Sequence, residues 1–208
     1  MQQVICGACH INNQLPYQNT NFNLKQEQMV HEWCKIHDWI VLKVPAHGTC
    51  LMALFIFMLV FHVKELEVMG MRSVEDLASV LYPGWKRCIT ISNISRRKKE
   101  QCWQDLTKLM EDYQYAKKYQ NKPFTKFASE AFTIRFGYFV EHWTEGLPPP
   151  GTINNTAILY STENLGNQIY HLLVPRETNL EVFNRLQVTF SCIPNSVTTY
   201  IIKTDHST

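Results

Sequence analysis

The amino-acid sequence predicts an α+β domain whose helices pack against an antiparallel sheet, and three observations lead to this prediction. Helical patterns dominate the first half of the chain. A continuous apolar run from Leu51 to Val63 is typical of a helix that is buried on all sides. The second half instead contains short β-type segments separated by turn residues. Segregation of helices and strands along one chain is typical of the α+β class.

The first half predicts five helices and one strand. Ser73 is suited to cap a helix because Asp76 follows at the third helical position, and Pro83-Gly84 is expected to break the chain after it. The expected elements are a helix over Leu24 to Trp33, a strand over Trp39 to Val44, the buried helix from Cys50, the helix after Ser73, an amphipathic helix over Lys99 to Tyr119 with Trp103, Leu106, Met110 and Tyr113 as its core stripe, and a helix over Thr125 to Phe136.

Strands dominate the prediction beyond the stiff connector Pro148-Pro149-Pro150-Gly151. Turn residues such as Asn164-Leu165-Gly166-Asn167 separate the β-type segments. The expected strands are Thr156–Ser161, Ile169–Val174, Leu186–Ile193 and Val197–Lys203. The helix that begins at Cys50 is expected to pack on the sheet formed by these strands.

Composition indicates a folded domain without a strongly charged partner. The chain has 208 residues, of which 45% are hydrophobic, and a net charge of +2. Eleven Lys and Arg against four Asp and Glu lie between Lys86 and Lys126, but a solvated basic face explains this segment better than nucleic-acid binding. Seven cysteines and an N-terminus without a secretory pattern favour a reducing compartment, so we expect a cytoplasmic protein with no membrane span.

The most informative segment is Val44-Pro45-Ala46-His47-Gly48-Thr49-Cys50-Leu51-Met52-Ala53-Leu54. Gly48 and Thr49 suit a tight turn and a helix N-cap, which puts Cys50 in the first helical turn. Backbone N–H groups and the helix dipole favour a thiolate at such a position. The alternative is a buried core cysteine, because free cysteine is among the most buried residue types.

A general base for this thiol is expected at His171, in the apolar strand Gln168 to Pro175. A neutral imidazole on a rigid strand suits this role, and the two residues of such a dyad meet in space rather than in sequence. A histidine in an apolar strand is otherwise an ordinary structural residue. His142, beside Trp143, is a weaker rival base.

The segment around Cys50 resembles the nucleophile motif of the ovarian-tumour (OTU) deubiquitinases, a branch of the papain-like cysteine proteases. In that motif an Asp-Gly-Asn-Cys-Leu sequence opens the helix, and here His47 stands in place of the Asp. The strand with His171 resembles the catalytic histidine strand of the family. The resemblance implies an OTU-like protease domain over residues 39–208, preceded by an extension over residues 1–38, and a viral relative is compatible with it.

For the third catalytic residue the sequence offers several candidates. Leu173 occupies the position where many family members carry an orienting Asp or Asn. Other candidates are Asn164, Asn167, Asn195 and Asp205, and Asn195 is the first choice because Asn195-Ser196 follows a β-type run. Turn chemistry after a proline explains Asn195 equally well. For oxyanion or substrate contacts the sequence offers His47, Gly48 and Thr49.

A structural zinc site is a separate hypothesis for the N-terminal extension. Cys6 and Cys9 form a Cys-x-x-Cys pair, and Cys34 and His37 follow with the same spacing. A Cys3His ligand set would fix the Asn-rich segment between the pairs. Cys34 and His37 also share a helix face simply because they are three residues apart.

These patterns together predict a thiol peptidase that needs no cofactor for catalysis. By the resemblance, its substrate is the peptide or isopeptide bond after the Gly-Gly end of ubiquitin or a ubiquitin-like protein. One alternative is a viral polyprotein-processing protease, and another is an inactive binding module of the same fold. The expected compartment is the cytoplasm, which is that of the host if the protein is viral.

Overall fold

The architecture is α+β, with six helices and four strands named below. The structure is a computed structural model that describes residues 21–44, 49–112, 122–144, 154–164 and 167–185. The helices are α1 (Asn21–His37), α2 (Cys50–Phe61), α3 (Val63–Val68), α4 (Val74–Ile91), α5 (Arg96–Glu111) and α6 (Lys122–Phe136). The strands are β1 (Trp39–Leu42), β2 (Phe139–Trp143), β3 (Thr156–Asn164) and β4 (Asn167–Pro175). A further helical turn covers residues 181–185.

The four strands form one sheet in the order β1-β4-β3-β2. β4 pairs antiparallel with β1 and with β3, and Tyr160 lies opposite His171 in the second of these pairings. β2 instead runs parallel to β3. The sheet is therefore mixed, so the expectation of a purely antiparallel sheet was wrong at this edge. The expected strands Leu186–Ile193 and Val197–Lys203 lie outside the described residues.

Each face of the sheet is covered by a different set of helices. On one face, the side chains of Tyr170, Leu172 and Val174 join the large core that contains α2 and parts of α4, α5 and α6. On the other face, Leu173 and Tyr160 belong to a smaller core that is built against α1. Successive strand residues point to opposite faces, which is why neighbouring residues of β4 such as Leu172 and Leu173 belong to different cores. Although α1 falls within the predicted extension 1–38, it packs on the sheet.

The helix α2 begins at Cys50, as the sequence predicts. The Thr49 hydroxyl accepts a hydrogen bond from the Met52 amide at 3.1 Å, which is the N-cap arrangement. All residues from Cys50 to Leu59 are buried. Burial on every side explains why this run has no polar face and why no amphipathic pattern marks it.

The expected break at Pro83-Gly84 is wrong, because α4 continues through both residues to Ile91. Proline removes one backbone hydrogen bond inside a helix. Packing compensates for that loss, since the α4 side chains Leu81, Trp85 and Ile89 lie in the large core on either side of the proline. Tertiary burial thus overrides the local signal.

The helix α5 begins three residues before the predicted start and buries a slightly different stripe. Its N-cap is Ser95, and its buried side chains are Cys102, Asp105, Leu106 and Leu109. Of the predicted stripe, Leu106 is buried and Met110 is 39% exposed. Tyr113 lies outside the described residues. Within the described ranges, no helix has the length and apolar character needed to cross a membrane.

Candidate functional site

Cys50 lies where the nucleophile hypothesis requires it, at the first residue of α2 and directly after the N-cap Thr49. Its thiol is nevertheless enclosed, with only 1% of the residue exposed. Burial raises the pKa of the thiol to about 12, although a hydrogen bond between the thiol and Ser129 acts in the opposite direction. The resting state is therefore a neutral thiol, because loss of water costs a thiolate more than one hydroxyl partner returns.

The side chain nearest the thiol in this network is the hydroxyl of Ser129, on α6. The distance from the Cys50 Sγ to the Ser129 Oγ is 3.7 Å. Ser129 is itself buried and lies one helical turn after Thr125, whose carbonyl oxygen is 3.1 Å from the same Oγ. The sequence analysis missed Ser129, although its place among the buried residues of α6 was readable from helical periodicity.

A histidine lies on the other side of this hydroxyl. The His142 Nε2 is 2.7 Å from the Ser129 Oγ, so one oxygen links the Cys50 thiol to an imidazole. His142 is on β2, and its ring meets that of Tyr170 edge-on at 5.6 Å. Burial lowers the pKa of His142 to about 4, so the ring is neutral at pH 7. This histidine was only the rival base in the sequence analysis.

His171 does not reach the thiol. It follows Tyr170 and precedes Leu172, which both point toward α2, so strand alternation turns His171 to the face that α1 covers. Its ring lies 6.2 Å from that of Tyr160 on that face. The predicted pairing of Cys50 with His171 therefore lacks the required geometry in this structure.

The contacts of His171, on the inner strand β4, are those of a structural histidine. The Val44 amide donates a hydrogen bond to the His171 Nδ1 at 3.3 Å. Burial, with a smaller contribution from the positive charge of Lys43, lowers the pKa of His171 to about 4. The hydrogen bond ties His171 to the backbone of Val44, six residues before Cys50 in the sequence.

The remaining site candidates differ in what the structure says of them. Thr49 is the N-cap of α2, and its hydroxyl is occupied by the Met52 amide. His47, Gly48 and Asn195 lie outside the described residues, so the roles expected of them stay predictions.

The predicted zinc ligands are only half within the described residues. Cys34 is buried in the α1 core, where burial raises the pKa of its thiol to about 11. His37 is exposed at the end of α1, and its ring lies 4.4 Å from that of Trp33. Cys6 and Cys9 lie outside the described residues. Among the residues that are described, no three His, Cys, Asp or Glu side chains are grouped to hold a metal ion.

If zinc is bound, purified protein is expected to contain about one equivalent, because four ligands would share a single ion. Chelation is then expected to lower the melting temperature, since the metal binds only the folded arrangement. Elemental analysis and thermal unfolding with and without a chelator measure both effects. A metal-free protein of unchanged melting temperature would leave Cys34 and His37 as ordinary residues of α1.

Comparisons with protein-family models, with curated proteins and with solved structures found no match to this chain.

Proposed function

We propose that this chain is a cysteine peptidase of the OTU-like, papain-related kind, with Cys50 as its nucleophile. The observation that carries the proposal is the position of Cys50 at the first residue of an N-capped helix that packs on a sheet. At that position, backbone N–H groups point toward the site of the reaction and the helix dipole favours negative charge. An imidazole lies one hydroxyl away from the thiol.

The proposed reaction is acyl transfer to sulfur followed by hydrolysis. The Cys50 thiol loses its proton to a base as the sulfur attacks the carbonyl carbon, and the carbonyl oxygen becomes an oxyanion. Amides at the start of α2 are suited to stabilise that oxyanion. The tetrahedral intermediate collapses with loss of the amine, which takes up the proton, and water then cleaves the thioester to release the acid and restore the thiol.

The enclosed position of the thiol bears on the substrate class. With 1% of Cys50 exposed, neighbouring side chains must move before a substrate reaches the thiol, and a slender chain segment requires the least movement. Glycine residues have no Cβ and need the least room on both sides of the scissile carbonyl. This supports the Gly-Gly end of ubiquitin or of a ubiquitin-like protein as the acyl group and the surface of that protein as the partner.

An inactive binding module of the same fold is the second candidate, and a specific observation favours it. The Cys50 thiol is buried with a pKa of about 12, and the strand histidine of the family resemblance points to the other face of the sheet. In such a module Cys50 would be a core residue. A polyprotein-processing protease is the remaining alternative and would share the chemistry but not the substrate.

The test is a ubiquitin molecule that carries an electrophile at its C-terminus. A deubiquitinase is expected to form a covalent adduct that mass spectrometry locates at Cys50. Hydrolysis of other peptides without capture of the probe would indicate a protease of different specificity. If Cys50 is neither captured by the probe nor needed for any hydrolysis, the peptidase proposal fails and the inactive module remains. Denatured protein, in which all thiols are exposed, is the control for specific capture.

A further inference from the structure

The chain of side chains Cys50, Ser129 and His142 joins three separate elements, α2, α6 and β2, at one buried point. The hydrogen atoms available there allow three arrangements, and in only one of them does the imidazole act as an acceptor. Ser129 has a single hydroxyl hydrogen but three neighbours, which are the Cys50 thiol, the His142 Nε2 and the Thr125 carbonyl. The carbonyl can only accept, whereas the thiol and the imidazole can each donate or accept.

In the first arrangement Ser129 donates to the Thr125 carbonyl. The imidazole then carries its hydrogen on Nε2 and donates to Ser129, so it has no lone pair available in this direction. In the second arrangement Ser129 donates to the His142 Nε2 and accepts from the Cys50 thiol. In the third, Ser129 donates to the Cys50 sulfur, and the imidazole again donates to Ser129. The 2.7 Å separation between Ser129 Oγ and His142 Nε2 matches the shorter range of hydroxyl hydrogen bonds, whereas the 3.1 Å contact to Thr125 is longer.

The second arrangement costs the helix little. The Thr125 carbonyl lies inside α6, where the amide four residues later is its backbone partner, so turning the Ser129 hydroxyl away leaves the helical ladder intact. All hydrogen bonds of the series are then donated in the same direction, from the thiol to the hydroxyl and from the hydroxyl to the imidazole. This series of hydrogen bonds depends on the tertiary structure, because its three side chains come from three different elements.

We propose that Ser129 and His142 form a proton relay for the Cys50 thiol, with Ser129 as the bridge and His142 as the proton acceptor. The S–H bond of Cys50 breaks as its proton moves to the Ser129 oxygen. The O–H bond of Ser129 breaks as its own proton moves to the His142 Nε2. The sulfur forms its bond to the electrophile as the thiol proton leaves, so the products are a sulfur adduct, an unchanged serine and an imidazolium, and no proton is gained or lost. As part of hydrolysis this relay rests on the proposed peptidase function, but the reactivity of the thiol does not.

The charged groups around the relay leave it undisturbed at neutral pH. Tyr170 on β4 is the titratable neighbour on the sheet, and burial raises the pKa of its hydroxyl to about 12, so it stays neutral. The segment of α2 around Cys50 is apolar. On α6, Lys126 and Glu130 flank Ser129 in sequence and pair with each other at 3.9 Å. Glu141 precedes His142 on β2 and points to the opposite side of the strand.

The test measures how fast iodoacetamide alkylates Cys50 in the full chain, with the modified peptide resolved by mass spectrometry because other cysteines are present. With a relay, the wild-type rate is expected to be independent of pH between about pH 5 and pH 8, where His142 is a neutral acceptor. His142→Gln retains a hydrogen-bonding side chain but cannot take the proton. In that variant the plateau is expected to disappear, leaving a rate that rises about tenfold per pH unit and is roughly a hundredfold lower at pH 7.

Ser129→Ala is expected to lose the same plateau, and the double variant is expected to be no slower than either single variant, because both residues belong to one pathway. His62→Gln is the matched control, since His62 also pairs with a hydroxyl, that of Tyr138 at 2.9 Å, at the opposite end of α2. If Ser129→Ala does not fold, His142→Gln alone decides the question.

The relay is overturned if His142→Gln keeps the plateau, or if His171→Gln removes it while His142→Gln does not. Probe capture by ubiquitin is measured on the same samples. Loss of the plateau in His142→Gln without any capture in the wild type would support the relay and refute the deubiquitinase specificity. Capture in the wild type with an unchanged plateau in His142→Gln would support the deubiquitinase and overturn the relay.

Discussion

Replacing Cys50 with alanine is expected to abolish hydrolysis of a ubiquitin-linked substrate, with a loss of several orders of magnitude in kcat/KM. The substitution removes the sulfur atom that forms the thioester, and alanine has no group that could act as a nucleophile in its place. The fold is expected to persist, because alanine is a good helix former and the N-cap Thr49 is unchanged. Activity and thermal unfolding, measured on the same preparation, separate the two effects.

Cys88→Ala is the matched control for this variant. Cys88 is also a buried helical cysteine, on α4, and its substitution removes the same sulfur atom from the same large core. It is expected to leave hydrolysis unchanged while costing a similar amount of stability. Substantial activity in Cys50→Ala would mean that another group is the nucleophile and would remove the basis of the peptidase proposal.

The sequence predicted the elements that depend on local signals. The start of α2 follows from the capping side chain of Thr49, and the start of α4 follows from Ser73 with Asp76 three residues later. β4 was recognised from an apolar β-type run. These signals are encoded within a few residues, so they survive when the tertiary structure is unknown.

The continuation of α4 through Pro83 was not predictable from the same rules. A proline inside a helix is unfavourable by about 3 kcal/mol, and the local reading therefore ends the helix there. The opposing contribution comes from Trp85 and Leu81, which are buried against elements far away in sequence. No local pattern reveals how much apolar surface those side chains will bury.

The candidate site likewise combines a feature that local signals predict with features that depend on the tertiary structure. The position of Cys50 at the start of α2 was predicted from a cap and an apolar run, but its connection through Ser129 to His142 was not. Alternation along β4 was available in the sequence and separates Tyr170 from His171, yet which of the two faces α2 depends on the register of the sheet. The proximity of Ser129 to His142 depends on how α6 crosses β2, which is a tertiary property.

Lowering the pH from 7.5 to 4.5 is expected to destabilise the protein by roughly 5 kcal/mol through two buried histidines. His142 and His171 have a pKa of about 4 in the folded protein, against the usual value of 6.5 that applies to the unfolded chain. Between these values the unfolded chain binds protons that the folded protein excludes, so the free energy of unfolding falls as the pH falls. The contribution is fully present above about pH 6.5 and is lost as the pH approaches 4.

Urea unfolding of His142→Gln and His171→Gln at the two pH values separates this effect from the protonation of carboxylates, which all variants share. Each variant removes one of the two titrating groups, so each is expected to remove about half of the fall in the free energy of unfolding that the two histidines cause. Because the two rings lie on opposite faces of the sheet, their effects are expected to add. A fall in stability that is the same in wild type and both variants would mean that neither imidazole is buried in its neutral form, and the neutral acceptor that the relay requires would be lost with it.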